Sequence, residues 1–262
     1  MDLGLKGKVA IVTGASRGIG RGIARELAKE GCDLALTARD ASALEGLAAE
    51  LRNALGRKVL VHAADLREPE APAKLVEAVA AAFGRIDVLV NNAGATKRDD
   101  FFKLTDADFQ DGFALKFFGN VRLTRAAWPR LKAQGGAVIN IIGLGGHTAL
   151  AEFTIGGSVN AALLNFTKAM SHQGIKDGVR VHAINPGSIE TDRLKGRLAA
   201  QSKAEGIDEA EARRRNLAKL GVARYGLPEE IGQAVCFLAS PVAAGYANGA
   251  IIDIDGGQTR HI

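Results

Sequence analysis

Residues 13–20 read Thr-Gly-Ala-Ser-Arg-Gly-Ile-Gly, directly after an apolar run at 9–12 and directly before a helical pattern. Glycines at 14, 18 and 20 let the backbone turn tightly and approach a ligand closely. A helix opening at such a turn offers free N–H donors to an anion. Strand, glycine turn and helix N-terminus in that order make a phosphate cradle, whereas glycines alone mark only a turn. Gly14, Ser16, Arg17, Gly18, Ile19 and Gly20 are therefore expected to bind a dinucleotide, with its pyrophosphate on the glycine turn. Groups able to move a proton are fewer. His147, whose ring ordinarily titrates near neutrality, stands with Thr148 in a glycine-rich loop. A histidine in such a loop is more often an ordinary surface residue.

These residues need a frame, and the pattern supplies one. Short apolar runs at 9–12, 33–37, 59–62, 87–90, 137–142, 179–184 and 251–254 read as strands. Runs so continuously apolar fit a sheet covered by helices on both faces. Helical patterns lie near 19–30, 41–55, 70–83, 107–133, 153–175 and 228–239. In the first, Ile19, Ile23 and Leu27 recur every four residues and define one apolar face. Asp106 suits the N-cap of the fourth, and Pro228 with Glu229 and Glu230 suits the first turn of the last. The alternation predicts a doubly wound α/β fold of the Rossmann type, over residues 1–262 as a single domain. It would hold one parallel sheet of about seven strands between two helical layers.

A chain of 262 residues, 47% hydrophobic and 24% charged, can bury a sizeable core. Its net charge of +5 is spread among interspersed acids and bases. That balance suits an anionic cofactor or substrate and falls short of a nucleic-acid footprint. Cys32 and Cys236, the only cysteines, give no disulfide framework and point to a reducing compartment. The first residues lack a basic flank before a long apolar stretch, so no secretory signal is expected. The longest uncharged run, 134–151, is broken by five glycines and does not read as a membrane span. A cytoplasmic protein is expected, with no membrane or nucleic-acid partner and no metal site.

The spacing Gly14-x-x-x-Gly18-x-Gly20 resembles that of the short-chain dehydrogenases/reductases, and the resemblance covers almost the whole chain. Asn91-Asn92-Ala93-Gly94 is similar to that family's Asn-Asn-Ala-Gly motif. Asp65-Leu66 resembles its adenine-contacting segment, and Asp255-Gly256-Gly257 its closing turn. Pro186, Gly187, Ile189 and Thr191 match the segment that holds the nicotinamide. The resemblance thus implies a cofactor site that includes Asp65, Leu66, Asn92, Ala93 and Gly94. Family members that prefer NAD carry Asp where this chain has Ala38, and Arg39 follows it. Arg39 and Arg17, without a carboxylate at the key position, suit the 2′-phosphate of NADP(H). The alternative is that neighbouring Asp40 pairs with Arg39 and the cofactor is NAD(H).

The family's Ser, Tyr, Lys and helical Asn are where the resemblance fails. Ala161-Ala162-Leu163 and Thr167-Lys168-Ala169 resemble the stretch after the family's Lys, which puts Asn160 at the Lys position. By the same register Gly156 stands at the Tyr position and Gly143 at the Ser position. Lys116-Phe117-Phe118-Gly119 resembles the family's Asn-Leu-x-Gly, which puts Lys116 at the Asn position. Two of the changes amount to an exchange of Lys and Asn between facing helices. Lys116 is expected to restore the missing charge beside the nicotinamide; the alternative is a solvated helix lysine. The enoyl-thioester reductases of the family space their Tyr seven residues before the Lys, and here that residue is Phe153. Phe153 has the ring without the hydroxyl, so the proton donor is left among His147, Thr148, Thr154, Lys116, water and the substrate.

Residues 190–222 lie where the family places a substrate lid, and they are rich in arginine and lysine. Arg193, Lys195, Arg197, Lys203, Arg213, Arg214 and Arg215 could attract a carboxylate, a thioester carrier or a phosphorylated small-molecule substrate, or simply form the solvated face of an amphipathic helix at 207–220. The family also implies a homotetramer or homodimer. The expected function is NADP(H)-dependent oxidation or reduction of a carbonyl, an alcohol or an activated double bond at an atypical active site. The alternatives are a catalytically silent NADP(H)-binding sensor or assembly partner and, more weakly, non-redox chemistry.

Overall fold

The computed structural model describes residues 2–260. Seven strands form one parallel sheet: β1 (Val9–Thr13), β2 (Asp33–Ala38), β3 (Val59–Ala63), β4 (Val88–Asn91), β5 (Ala137–Ile141), β6 (Arg180–Pro186) and β7 (Ile251–Ile254). Their spatial order is β3-β2-β1-β4-β5-β6-β7. This is the doubly wound arrangement expected from the alternating pattern. The order reverses direction between β1 and β4, so the turns leaving those two strands diverge and open a crevice.

Alternate residues of each strand face opposite helical layers. Ala10 and Val12 pack with Ile23 and Leu27 of α1 (Gly18–Lys29), Leu44 and Leu47 of α2 (Ala41–Leu55), and Ile231 and Val235 of α9 (Pro228–Ala239). Val9 and Ile11 pack with Leu75 and Val79 of α3 (Ala71–Phe83) and Leu123 and Leu131 of α5 (Asn120–Gln134). A third cluster joins Ile142 and Ala183 to Ile155, Val159 and Leu163 of α6 (Thr154–Asp177). Buried polar side chains at the sheet centre bond to one another, although the Asn91 side-chain oxygen has no partner among the described residues. Asn91 donates to Thr124 at 3.1 Å and to Asn140 at 2.9 Å, and Asn140 donates to Thr167 at 2.9 Å. Such a ladder fixes β4, β5, α5 and α6 laterally, because slipping any one strands a buried amide.

Three elements differ from the expectation. The helix expected at 107–133 is divided: α4 (Asp106–Phe113) runs into a π-helical turn, Ala114–Gly119, before α5 begins. Its cap is Thr105 and not Asp106. The Thr105 hydroxyl accepts from the Asp108 N–H at 3.3 Å, and the Asp108 carboxylate accepts from the Thr105 N–H at 2.9 Å. This reciprocal pair satisfies two end donors, whereas Asp106 falls in the first turn. Finally, the segment at 190–222 holds two helices: α7 (Asp192–Glu205), absent from the expected pattern, and α8 (Glu209–Leu220), close to the helix expected at 207–220. The first has only Leu194 and Leu198 buried, too few to stand out from its charges. Among the described residues no helix is long and apolar enough to cross a membrane, and no group of three or more His, Cys, Asp or Glu could hold a metal ion.

Candidate active site

The turn after β1 is shaped by backbone geometry that side chains would oppose. Gly14 and Gly18 have φ of 66° and 54°, and a Cβ at position 20 would overlap the Gly14 carbonyl. Thr13 then locks this turn to the one after β4. Its buried hydroxyl accepts from the Asn92 and Ala93 N–H groups, each at 2.8 Å, while the Asn92 side chain donates to the Thr13 carbonyl at 2.9 Å. Across the opening, the Thr191 side chain lies 3.2 Å from where a Cβ on Gly18 would stand. Thr191 also caps α7 by accepting from the Leu194 N–H at 3.4 Å.

The crevice so formed is a cleft of about 850 Å³. Every residue expected to touch a cofactor lines it: Gly14, Ser16, Arg17, Gly18, Ile19 and Gly20 after β1, Arg39 after β2, and Asp65 and Leu66 after β3. Asn92, Ala93 and Gly94 after β4 complete it, with Pro186, Gly187, Ile189 and Thr191 after β6. The volume and the glycine cradle fit a dinucleotide. Arg17 and Arg39 are exposed, and their guanidiniums have no hydrogen bond or ion pair among the described residues. Asp40 does not pair with Arg39; its carboxylate caps α2 by accepting from the Ala43 N–H at 3.0 Å. Asp65 is held by Arg67 at 3.1 Å, and Arg67 reaches Asp111 at 2.7 Å.

Lys116 lies in the π-helical turn and lines the same cleft. Its ammonium donates to the Ile142 carbonyl at 2.7 Å and to the Asn160 side-chain oxygen at 2.5 Å. Asn160, buried on α6, donates in turn to the Gly143 carbonyl at 3.2 Å. Part of the Lys116 residue stays open to the cleft, while its ammonium sits deep. Its stem packs on the cofactor turn, because a Cβ on Gly94 would lie 2.8 Å from the Lys116 Cγ. Burial, reinforced by the charge of Arg193, pushes the Lys116 ammonium down to about 7. Loss of a proton near neutral pH is therefore open to it.

The other expected groups are placed less directly. Phe153 precedes α6, and its ring covers the backbone of Gly145 and Gly156. His147 and Thr148 do not line the cleft. His147 stands 3.2 Å from Asp253, which accepts from Asn185 at 2.9 Å, and Asn185 accepts from the Gly143 N–H at 3.3 Å. The two tyrosines, Tyr225 and Tyr246, also lie outside the cleft lining. Tyr225 is buried and donates to Asn216 at 2.9 Å. Sequence reasoning missed the Ile142 and Gly143 carbonyls, which are backbone groups that no residue type announces. Of the lid cations expected to attract an anion, Arg193 and Arg197 line the cleft from α7.

Residues 14–259 match the family model described as enoyl-(acyl carrier protein) reductase. The chain is 33% identical to the 3-oxoacyl-[acyl-carrier-protein] reductase FabG of Vibrio cholerae, over 98% of this chain and 99% of the relative. It superposes on L-sorbose reductase from Gluconobacter frateurii, solved with NADPH and L-sorbose, with a TM-score of 0.96 at 34% identity over the whole of both chains. A short-chain oxidoreductase from Pseudomonas aeruginosa PAO1, solved with NADPH and containing an atypical catalytic center, gives a TM-score of 0.89 at 28% identity. That match covers 97% of this chain and 98% of the other. The glycine turn, the reversal between β1 and β4 and these full-length matches agree: the chain belongs to the short-chain dehydrogenase/reductase family.

Proposed function

We propose that the chain is an NADP(H)-dependent oxidoreductase in which Lys116 serves the oxygen of a carbonyl, or of a double bond conjugated to one. The observation that carries this reading is the Lys116 ammonium, held by Asn160 and the Ile142 carbonyl beside the cofactor turn at Gly94. The unpaired guanidiniums of Arg17 and Arg39 favour the cofactor with a 2′-phosphate, and relatives solved with NADPH support the same choice. When bound, the nicotinamide supplies or accepts the hydride.

The chain's own residues would do the rest. Lys116 places positive charge where negative charge grows on the substrate oxygen. A group that titrates near 7 is also matched to giving that oxygen its proton at neutral pH. Asn160 and the Ile142 carbonyl hold the ammonium in place and leave one of its three N–H bonds for the substrate. His147 and Thr148, which do not line the cleft, are less direct donors. A conjugated double bond suits this centre best, because its charge spreads onto an enolate that needs a weaker acid than an alkoxide does. By the family register, Lys116 and Asn160 exchange the family's Asn and Lys, and α7 with α8 forms the substrate lid. The relative with an atypical catalytic center supports the idea that this fold tolerates such changes with NADPH bound.

The absence of tyrosine from the cleft lining favours the second reading, a silent NADP(H)-binding protein. One comparison separates them: NADPH binding by fluorescence, then NADPH oxidation with quinones, enones and ketones, for the native chain and Lys116→Ala. Turnover that falls about 100-fold or more in the variant, with binding retained, is the expected result. Tight binding without turnover on any of the three classes would overturn the oxidoreductase reading.

A further inference from the structure

The charged segment 190–222 separates into two sets once its contacts are known. On α8, Arg213 pairs with Glu190, Arg214 with Glu211, and Arg215 with both Glu205 and Glu211. These are neutralised by their neighbours. Arg193 and Arg197 on α7 are different. They are four residues apart, hence on one helical face, and both line the cleft with Lys116. Neither guanidinium has a hydrogen bond or an ion pair among the described residues. Asp192 lines the cleft as well, but it forms no ion pair with either arginine.

The unpaired pair belongs to a larger concentration of positive charge. Arg197 holds its proton less tightly than usual, first through burial and then through the charges of Arg98 and Arg193. Arg98 is fixed 4.5 Å above the Phe153 ring and 3.3 Å from Glu152. Arg193 is close enough to Lys116 to act on its ammonium. Asp192 and Glu152 lie nearby but leave Arg193 and Arg197 unpaired, and cations so gathered repel one another until an anion arrives. Guanidinium forks are shaped to meet an oxyanion with two parallel hydrogen bonds.

We propose that Arg193 and Arg197, with Arg98 at their side, form an anion site at the Lys116 end of the cleft, and that the substrate carries a carboxylate or a phosphate monoester held there. This rests on the oxidoreductase reading for the word substrate, but the site itself does not. The site's oxyanion would anchor one end of the molecule while its carbonyl or conjugated double bond meets Lys116. The paired arginines of α8 would take no part.

The test uses two matched pairs of probes on the NADPH-loaded protein. They are 4-oxo-2-pentenoate against its methyl ester, and dihydroxyacetone phosphate against dihydroxyacetone. Binding is measured by calorimetry and NADPH oxidation by absorbance, for the native chain and for Arg193→Gln/Arg197→Gln. At least one charged probe should bind tenfold or more tightly than its neutral counterpart, and which pair shows the preference tells carboxylate from phosphate. The double variant should lose that preference and keep its NADPH affinity within threefold. Equal binding within both pairs, or a preference that survives in the variant, would overturn the site. So would loss of NADPH affinity in the variant, because the arginines would then serve the cofactor's phosphates. Charge-selective binding without any NADPH oxidation leaves the anion site standing and removes the oxidoreductase reading. Oxidation without charge preference does the reverse.

Discussion

The ring of Phe153 occupies the space that a side chain at position 156 would need, so that even a Cβ on Gly156 would overlap it. The two residues meet at the first turn of α6, three positions apart, and Gly156 is buried. Alanine in place of glycine inside a helix ordinarily stabilises by about 1 kcal/mol. Here the overlap reverses the sign: Gly156→Ala is expected to destabilise by about 1–3 kcal/mol, as overpacking does. Combining it with Phe153→Ala should recover part of that loss, since the two substitutions share one space. Urea unfolding of both single variants and the double variant measures the coupling. A gain in stability for Gly156→Ala alone would mean that the ring moves aside freely.

Lys116 should impose a pH dependence on reduction. Its ammonium is pushed down to about 7, and in the proposed role it must be charged to protonate the substrate oxygen. The reductive kcat is therefore expected to be full below that value and to fall as pH rises through it. A bound anionic cofactor favours the charged form and moves the limb upward. Lys116→Arg, which stays charged across this range, should lose the limb whatever its absolute rate. Folding stability has its own consequence. Between about 7 and the ordinary lysine value of 10.5 the unfolded chain binds the extra proton, so stability rises with pH across that window. Lys116→Met should remove this rise.

Arg17 and Arg39 give a prediction about cofactor choice. Both line the cleft, and neither guanidinium is engaged by another described residue. Arg39→Ala is expected to weaken NADPH binding about tenfold, equivalent to about 1.4 kcal/mol, and to leave NADH binding nearly unaltered. Arg17→Ala should act in the same direction. Titration of both cofactors by fluorescence separates the effects. Unaltered NADPH affinity in Arg39→Ala would remove the basis for a 2′-phosphate contact.

The sheet and the cofactor turn were legible because each rests on a repeated local signal. Apolar runs of strand length alternate with helical periods, and the glycines of 13–20 sit between one of each. What escaped was local geometry that leaves no such trace. The π-helical turn at Ala114–Gly119 adds a residue to a helical turn without altering the type of any residue, so 107–133 reads as one helix. That turn carries Lys116, whose number could be inferred from the family pattern, but its partner at Ile142 could not. Helix α7 buries only Leu194 and Leu198, and its charges hide the period. Glu211 pairs with Arg214 and Arg215 within α8, but the rest of the division into paired and unpaired arginines depends on Glu190 and Glu205 arriving from other segments. Charge counting along the chain cannot resolve that.

His182 leads to a prediction about acid stability. It lies fully buried on β6, with Arg180 Nη1 3.5 Å from its Nε2. Burial, and then the charge of Arg180, hold the ring down at about 4 against an ordinary 6.5. Between these values the unfolded chain gains a proton that the folded chain refuses, so stability falls as pH drops from 6.5 toward 4. The loss between pH 7 and pH 5 is expected to be about 2 kcal/mol for this one group. Glu211 and Glu230, held low by hydrogen bonds from their arginines, add their own losses only below the ordinary glutamate value of 4.5. The window above pH 5 therefore isolates the histidine. Urea unfolding at pH 7 and pH 5 should show a much smaller difference for His182→Gln than for the native chain. Equal differences in the two proteins would assign the acid sensitivity elsewhere.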